Sequence, residues 1–387
     1  MTVAEADLPA VAPAPGPALP EATATEERVS VASQWQLMWW RFRKHKVAMA
    51  SAVVIGIFYL VVLFADTFAY ADPYKQDAER SLLPPQTLHL FDENGFHPFV
   101  YPIIGERDFT TFQRVYRADT SRKLYIRLIA PGFTYKLFGI IDSNVHLIGL
   151  DGAPTEGNLY LAGADLSGRD LFSRLMYATQ TSLSIGLVGV ALSLFFGVLL
   201  GGISGYYGGV ADTVIQRAIE IIFSIPAIPL WMGLAAAMPR DWSVAQMYFA
   251  ITIILSLVGW TQLARTVRGR FLSLRHEDFI MAAELSGAGP RRIVFVHMVP
   301  LFLSHIIAAT TLALPTMIIS ETALSFLGLG LRPPAMSWGV MLQQAQNIQS
   351  VALSPWLTIP AIPVTIVILA FNFLGDGLRD AADPYGV

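Results

Sequence analysis

Charged side chains are scarce here, 26 Lys+Arg and 29 Asp+Glu in 387 residues, so those beside long apolar runs are where chemistry would have to sit. Asp165, Asp170 and Glu321 are three such carboxylates. They fall near predicted membrane interfaces rather than along an intramembrane ion pathway, so the buried charges of an ion-coupled carrier are missing. His305 lies within an apolar run and reads as a packed or interfacial histidine rather than a proton relay. Arg217 and Glu220, three residues apart near a predicted span end, can pair and snorkel to the interface. No Gly-x-x-x-x-Gly-Lys-Ser/Thr loop is present to cradle phosphates, so the chain carries no ATPase, and no His-Glu-x-x-His or clustered His/Asp signature offers a metal site. The absence of cysteine excludes disulfides, thiolate chemistry and Cys-based metal sites. What remains is a transport subunit powered by another protein, or a structural membrane protein. One further charged set, Glu277, Asp278 and Glu284 followed by Arg291 and Arg292, surrounds Phe279-Ile-Met-Ala-Ala283. It predicts a short helix stopped by Gly289-Pro290. Such a helix can dock in a partner's groove, although an ordinary interfacial helix is the stronger reading from residue types alone.

The elements that would position these groups are membrane helices. Hydrophobic residues make up 54% of the chain and charged residues 14%, against roughly 25% charged in soluble domains. A net charge of -3 gives no basis for nucleic acid as a partner. Six spans are predicted, at Val47–Ala65, Leu183–Gly205, Val214–Ala237, Tyr248–Leu263, Val299–Ser320 and Leu357–Leu374, each approaching the ~20 residues that cross a bilayer. Gly197 and Gly201, with Gly189 eight residues earlier, permit close helix contact in lipid or simply reflect the abundance of Gly in membrane helices. Pro226 and Pro229 predict a bend in the third span, either lining a pathway or purely architectural. The basic clusters at 41–46, 265–275 and 291–292 all fall on one side when crossings are counted from a cytoplasmic start. Six spans with both termini inside satisfy this positive-inside pattern. The first 30 residues, rich in Ala, Pro and Glu, lack the form of a signal peptide and read as a disordered cytoplasmic tail.

The expected organisation is a tail and interfacial segment at 1–40, a basic flank and first helix at 41–68, and an extracytoplasmic region at 69–177. A five-helix core follows at 178–380, including the cytoplasmic segment 266–299, and then a cytoplasmic terminus at 381–387. Short strands are predicted at Lys123–Ala130, Tyr135–Ile141, Val145–Leu150 and Asn158–Leu161, separated by Gly, Pro and Asp turns. The fold class is therefore an all-α polytopic membrane protein with a β-rich extracytoplasmic insertion between helices 1 and 2. A structured loop packed over the membrane portion is the alternative for that insertion.

Several segments resemble the bacterial dipeptide/oligopeptide ABC importer permeases, of the second-permease (DppC/OppC) type. Gly163-Ala-Asp-Leu-Ser-Gly-Arg-Asp-Leu-Phe-Ser-Arg174, with Asp165, Gly168, Arg169, Asp170 and Arg174, is similar to the family segment before the second helix. Gly201–Gly209, Glu321–Gly330 with Pro333-Pro334 and Ser337-Trp-Gly339, and Asn372–Asp380 with Asp383-Pro384 are similar to its other motifs, Ile203 standing where the family often has a small residue. The resemblance covers the basic segment and first helix, then Leu161 to Tyr385; it says least of the outer insertion around 98–160, which is longer than in simpler relatives. The family's coupling motif aligns with Met281-Ala282-Ala283, Gly287 and Met298-Val-Pro300. Met281 stands where the family has Glu, and Glu284, one turn later, can supply a replacement carboxylate. The resemblance implies the ABC importer permease fold in a bacterial cytoplasmic membrane. It implies a non-catalytic permease that binds no cofactor, pairs with a homologous permease, and works with two cytoplasmic ATPases carrying ATP and Mg2+ and with an extracytoplasmic substrate-binding protein. ATPase coupling would fall to Glu277, Phe279, Met281, Ala282, Ala283, Glu284, Gly287 and Pro300. The implied substrate is a short peptide, with nickel complexes or other small solutes as alternatives and a non-transport scaffold as the competing class.

Overall fold

The computed structural model describes residues 34–107, 114–239 and 241–382. Residues 1–33 of the segment expected at 1–40, and 383–387 of the terminus expected at 381–387, with the Asp383-Pro384 motif, lie outside the described residues. Helix α1 (Gln34–Lys44) occupies the end of the segment expected to be a tail, and it is followed by α2 (Lys46–Leu63) and a single turn, α3 (Ala65–Phe68). The His45 side chain accepts the Ala48 N–H at 3.2 Å and so caps α2. Strands β1 (His89–Asp92), β2 (Gly95–Val100), β3 (Ile103–Arg107), β4 (Arg114–Ala118), β5 (Leu124–Leu137) and β6 (Ile141–Leu150) come next. They form an antiparallel sheet in the order β1-β2-β5-β6 and a separate β3-β4 ribbon. Two expected strands, 123–130 and 135–141, are one long β5 whose turn falls at 138–140, and the strand expected at 158–161 is instead a turn and loop.

The remaining helices are α4 (Leu171–Tyr207), α5 (Gly209–Ser224), α6 (Ala227–Ala236), α7 (Val244–Leu274), α8 (Asp278–Leu285), α9 (Leu303–Phe326), α10 (Trp338–Gln343), α11 (Ile348–Leu353) and α12 (Ala361–Ala382). Among the described residues five helical stretches are long and apolar enough to cross a bilayer, or six if α5 and α6, bent 87° apart, are counted as one. The third expected span is thus two helices. Pro226 has no N–H to continue α5, so the break falls at Ile225-Pro226. The second span, expected from Leu183, begins at Leu171, because the Asp170 carboxylate caps the Ser173 N–H at 2.7 Å and starts the helix three turns before the apolar run. The fourth runs longer at both ends, opened by a Ser243/Gln246 capping box. The sixth is displaced towards the C-terminus, a single turn at Pro355–Thr358 preceding α12.

Helix α4 is the axis of the bundle. A Cβ on Gly197 would lie 2.9 Å from Leu263, one on Gly201 2.5 Å from the Ala264 carbonyl, and one on Gly205 2.5 Å from Phe271. These glycines let α4 and α7 touch backbone to backbone. Residue numbers rise together along that seam, so α4 and α7 run parallel and the chain between them must return from one end of the bundle to the other. Ile219 of α5 packs on Trp260 and Ala264 on that return. On another face of α4, Gly186 and Gly189 meet Ile318 and Met317 of α9. Outward faces stay apolar, as Val53, Ile57 and Leu60 on α2 and Ile362, Ile366 and Leu369 on α12 show, which is the inverse of a water-soluble bundle.

Candidate functional site

Two constellations stand at opposite ends of α4. At its C-terminal end, α8 presents the residues expected to couple. Glu277 is its N-cap position and Asp278 lies in its first turn, where a carboxylate favours the helix dipole. The helix ends where Gly287 takes φ +84 and Ala288 donates its N–H to the Ala283 carbonyl at 3.0 Å, a left-handed C-terminal cap. Gly289-Pro290, expected to stop the helix, lies beyond its end at Leu285, and Pro290 is the first residue of the following turn. Ile280 is the buried anchor, set among Val267, Phe271, Ile293, Met298 and Phe302. Phe279, Met281 and Ala282 are exposed and Ala283 is half-buried. Leu285, at 90% exposure, is a further apolar residue of this face that the sequence reading passed over. Glu284 accepts a hydrogen bond from the Tyr206 hydroxyl at 3.2 Å, which ties α8 to the Tyr-Tyr end of α4. Pro300 is exposed in the turn Val299–Phe302. Having no N–H and clashing with the carbonyl four residues back, it sits where a wide π-helical stretch, Ile293–Met298, gives way to a tight 3-10 turn. The fifth span therefore starts at Leu303 rather than Val299.

A bidentate ion pair braces this end. Arg268 donates from Nε and Nη2 to the two Asp212 oxygens, both at 2.6 Å, while the Ser204 hydroxyl also donates to Asp212. The pair locks the ends of α4 and α7 to the start of α5. Asp212 as the carboxylate that ends the charge-free run after Arg174 was the available sequence signal.

At the other end, Asp165 gathers the segment before α4. Its carboxylate accepts the Ser167 and Arg169 N–H groups at 2.8 and 3.0 Å and pairs with Arg169 at 2.8 Å and with Arg174 at 3.0 Å. Gly168 takes φ +73, and a Cβ there would lie 1.8 Å from the Asp77 carbonyl, so only Gly fits this turn. Asp170 also accepts the Tyr70 hydroxyl at 2.9 Å, and burial pushes its carboxyl up to about 6 despite these hydrogen bonds. A third carboxylate, Glu321, is fully buried in α9, where it accepts the Ser182 hydroxyl at 3.0 Å and the Ser325 hydroxyl at 2.8 Å. Ser182 in turn accepts the Trp338 N–H at 3.1 Å. Asp165, Asp170 and Glu321, expected near interfaces, are all enclosed in protein and paired. They are structural fasteners rather than free reactive groups.

Comparison with known proteins gives a consistent likeness. Residues 197–385 match the family described as binding-protein-dependent transport system inner membrane component, and residues 33–85 match the N-terminal TM domain of oligopeptide transport permease C. The chain is 35% identical over 243 residues to the oligopeptide transport system permease protein OppC of Bacillus subtilis, covering 62% of this chain and 76% of that permease. It is 40% identical over 224 residues to the dipeptide transport system permease protein DppC of Alkalihalophilus pseudofirmus, covering 57% and 71%. A chain of the inward-facing MetNI methionine ABC transporter is similar at 20% identity and a TM-score of 0.39, covering 54% of this chain and 96% of that one.

Proposed function

The chain belongs to the OppC/DppC family of bacterial oligopeptide and dipeptide ABC importer permeases, and on that premise we propose that it is the permease subunit of an ATP-driven, binding-protein-dependent peptide importer, forming the translocation pathway with a homologous permease. The observation that carries the coupling mechanism is α8: a short helix anchored by buried Ile280, presenting Phe279, Met281, Ala282 and Leu285 outward at one end of the bundle. This is the form of an element that enters a partner's groove. Two cytoplasmic ATPases holding ATP and Mg2+ are the proposed partners at that end, and an extracytoplasmic binding protein is the partner at the other. ATPase closure would draw the two permeases' α8 helices together and switch access across the membrane.

The chain itself is proposed to be non-catalytic. The basic residues at 41–46 and 265–275 support a cytoplasmic placement of the α8 end. The parallel course of α4 and α7 supports counting α5 and α6 as one crossing, in keeping with the proposed six spans and cytoplasmic termini. The test is Gly287→Leu beside Glu284→Gln in the assembled transporter. Gly287 has positive φ, so a leucine strains the exit of α8 by about 1–2 kcal/mol. Glu284 makes one exposed contact whose loss costs about 0–1 kcal/mol. The first change is expected to lower ATP-coupled uptake more than the second; normal assembly and transport in Gly287→Leu would refute this coupling route.

A further inference from the structure

The β5–β6 hairpin has an apolar tip that the transport reading leaves unused. Leu137 pairs with Ile141 across the turn, and Ile140 donates its N–H to the Leu137 carbonyl at 3.1 Å. Phe138, Ile140 and Ile141 are 57%, 83% and 58% exposed, a contiguous apolar cap with Lys136 opposite Asp142 as a charged collar behind it. Phe138 and Gly139 both have positive φ, 52° and 72°. That turn favours Asn-Gly, and a bulky aromatic at its first position works against local folding. An aromatic residue held there against its backbone preference points to a use for the side chain itself.

The hairpin's direction identifies what covers the tip. Its shaft is fixed to the end of α2 and α3: Tyr135 hydrogen-bonds Thr67 at 3.0 Å, and His146 Nδ1 lies 3.1 Å from the Asp66 carbonyl oxygen. Towards the tip the partner moves back along the chain, and the Phe138 ring meets Phe64 with centroids 5.8 Å apart. Phe64 directly follows the apolar helix α2, whose last turns expose Leu60 and Leu63. The hairpin therefore turns back from the β domain towards the level at which α2 ends, and its cap is continuous with the exposed apolar stripe of α2.

We propose that this tip is a membrane-inserting wedge, occupied by the lipid of the leaflet around the end of α2, which fixes the β domain against the bilayer. An apolar cap ahead of a charged collar is the form that settles into the headgroup and acyl boundary. Such a wedge needs only an α2 that spans the membrane, whatever solute is transported.

The cysteine-free chain permits a single-site test in the assembled transporter in lipid nanodiscs. Ile140→Cys carries an environment-sensitive fluorophore, and Phe96→Cys, an exposed apolar site on β2, is the control. Nitroxide-bearing phospholipid is expected to quench the probe at 140 severalfold more strongly than at 96, with iodide ranking the sites in reverse. Ready iodide quenching at 140 without nitroxide quenching places the tip in water and overturns the proposal. Shielding from both quenchers places it against a partner protein and likewise overturns it. Equal nitroxide quenching at both sites shows the whole domain lying on lipid and removes the special role of the tip.

Discussion

Replacing Gly201 with alanine, beside Gly202→Ala, tests whether the α4–α7 seam sets the architecture. A methyl on Gly201 would lie 2.5 Å from the Ala264 carbonyl oxygen and 2.9 Å from both Ala264 Cα and Val267 Cβ. Two of those atoms are backbone and cannot rotate away, so the helices must part by roughly 0.5–1 Å, a gap that forfeits about a quarter to a half of each dispersion contact. Overpacking of this kind costs about 1–3 kcal/mol. A methyl on the adjacent Gly202 meets Phe271 at 3.5 Å, ordinary contact, and alanine is a better helix former by up to about 1 kcal/mol. Thermal unfolding of the purified chain in detergent, followed through its eight tryptophans, should show Gly201→Ala clearly less stable and Gly202→Ala unchanged or more stable. Equal melting of the two variants would refute the claim that backbone contact at this seam is what glycine supplies.

The buried Asp170 carboxyl, raised from 3.8 to about 6, binds a proton in the native state over a range where the unfolded chain has already released it. Stability should therefore fall as pH rises from about 4 to 6 and level off above. Asp170→Asn should retain the helix cap and abolish that slope in melting curves recorded across the range, whereas Asp170→Ala, losing the cap as well, should be destabilised by about 1–2 kcal/mol. Glu321→Ala should cost about 1–3 kcal/mol in the same unfolding assay, because the Ser182 and Ser325 hydroxyls lose their buried acceptor; a variant as stable as the parent would remove Glu321 from the list of fasteners.

Long apolar runs made the helices legible, since lipid leaves few alternatives to a helix wherever charge vanishes over ~20 residues. Their ends were less legible, because other forces set them. A side-chain cap at Asp170 begins α4 well before its apolar run, and Pro226 divides what hydropathy joins. The missing N–H of Pro300 delays α9 to Leu303. The β1–β2 hairpin, which turns at Glu93-Asn94 with Gly95 opening β2, is hard to read because apolar and polar residues alternate only briefly there. The exposed face of α8 could be placed from local sequence, since its helix, its anchor and its glycine exit lie within a dozen residues. The carboxylate fasteners could not. Glu321 meets Ser182 across 139 residues, and Arg174 meets Asp165 only after Gly168 has turned the chain. Pairings of that kind belong to the folded bundle rather than to any motif.

The central claim is that this chain moves solute only as one part of a powered assembly. Labelled di- and oligopeptide uptake into proteoliposomes, with the binding protein outside and ATP within, measures it directly when this chain is included or omitted. The account predicts ATP-dependent peptide accumulation that requires the chain, and no ATP hydrolysis by the chain alone. Accumulation undiminished by its omission, or hydrolysis by the isolated chain, would contradict it.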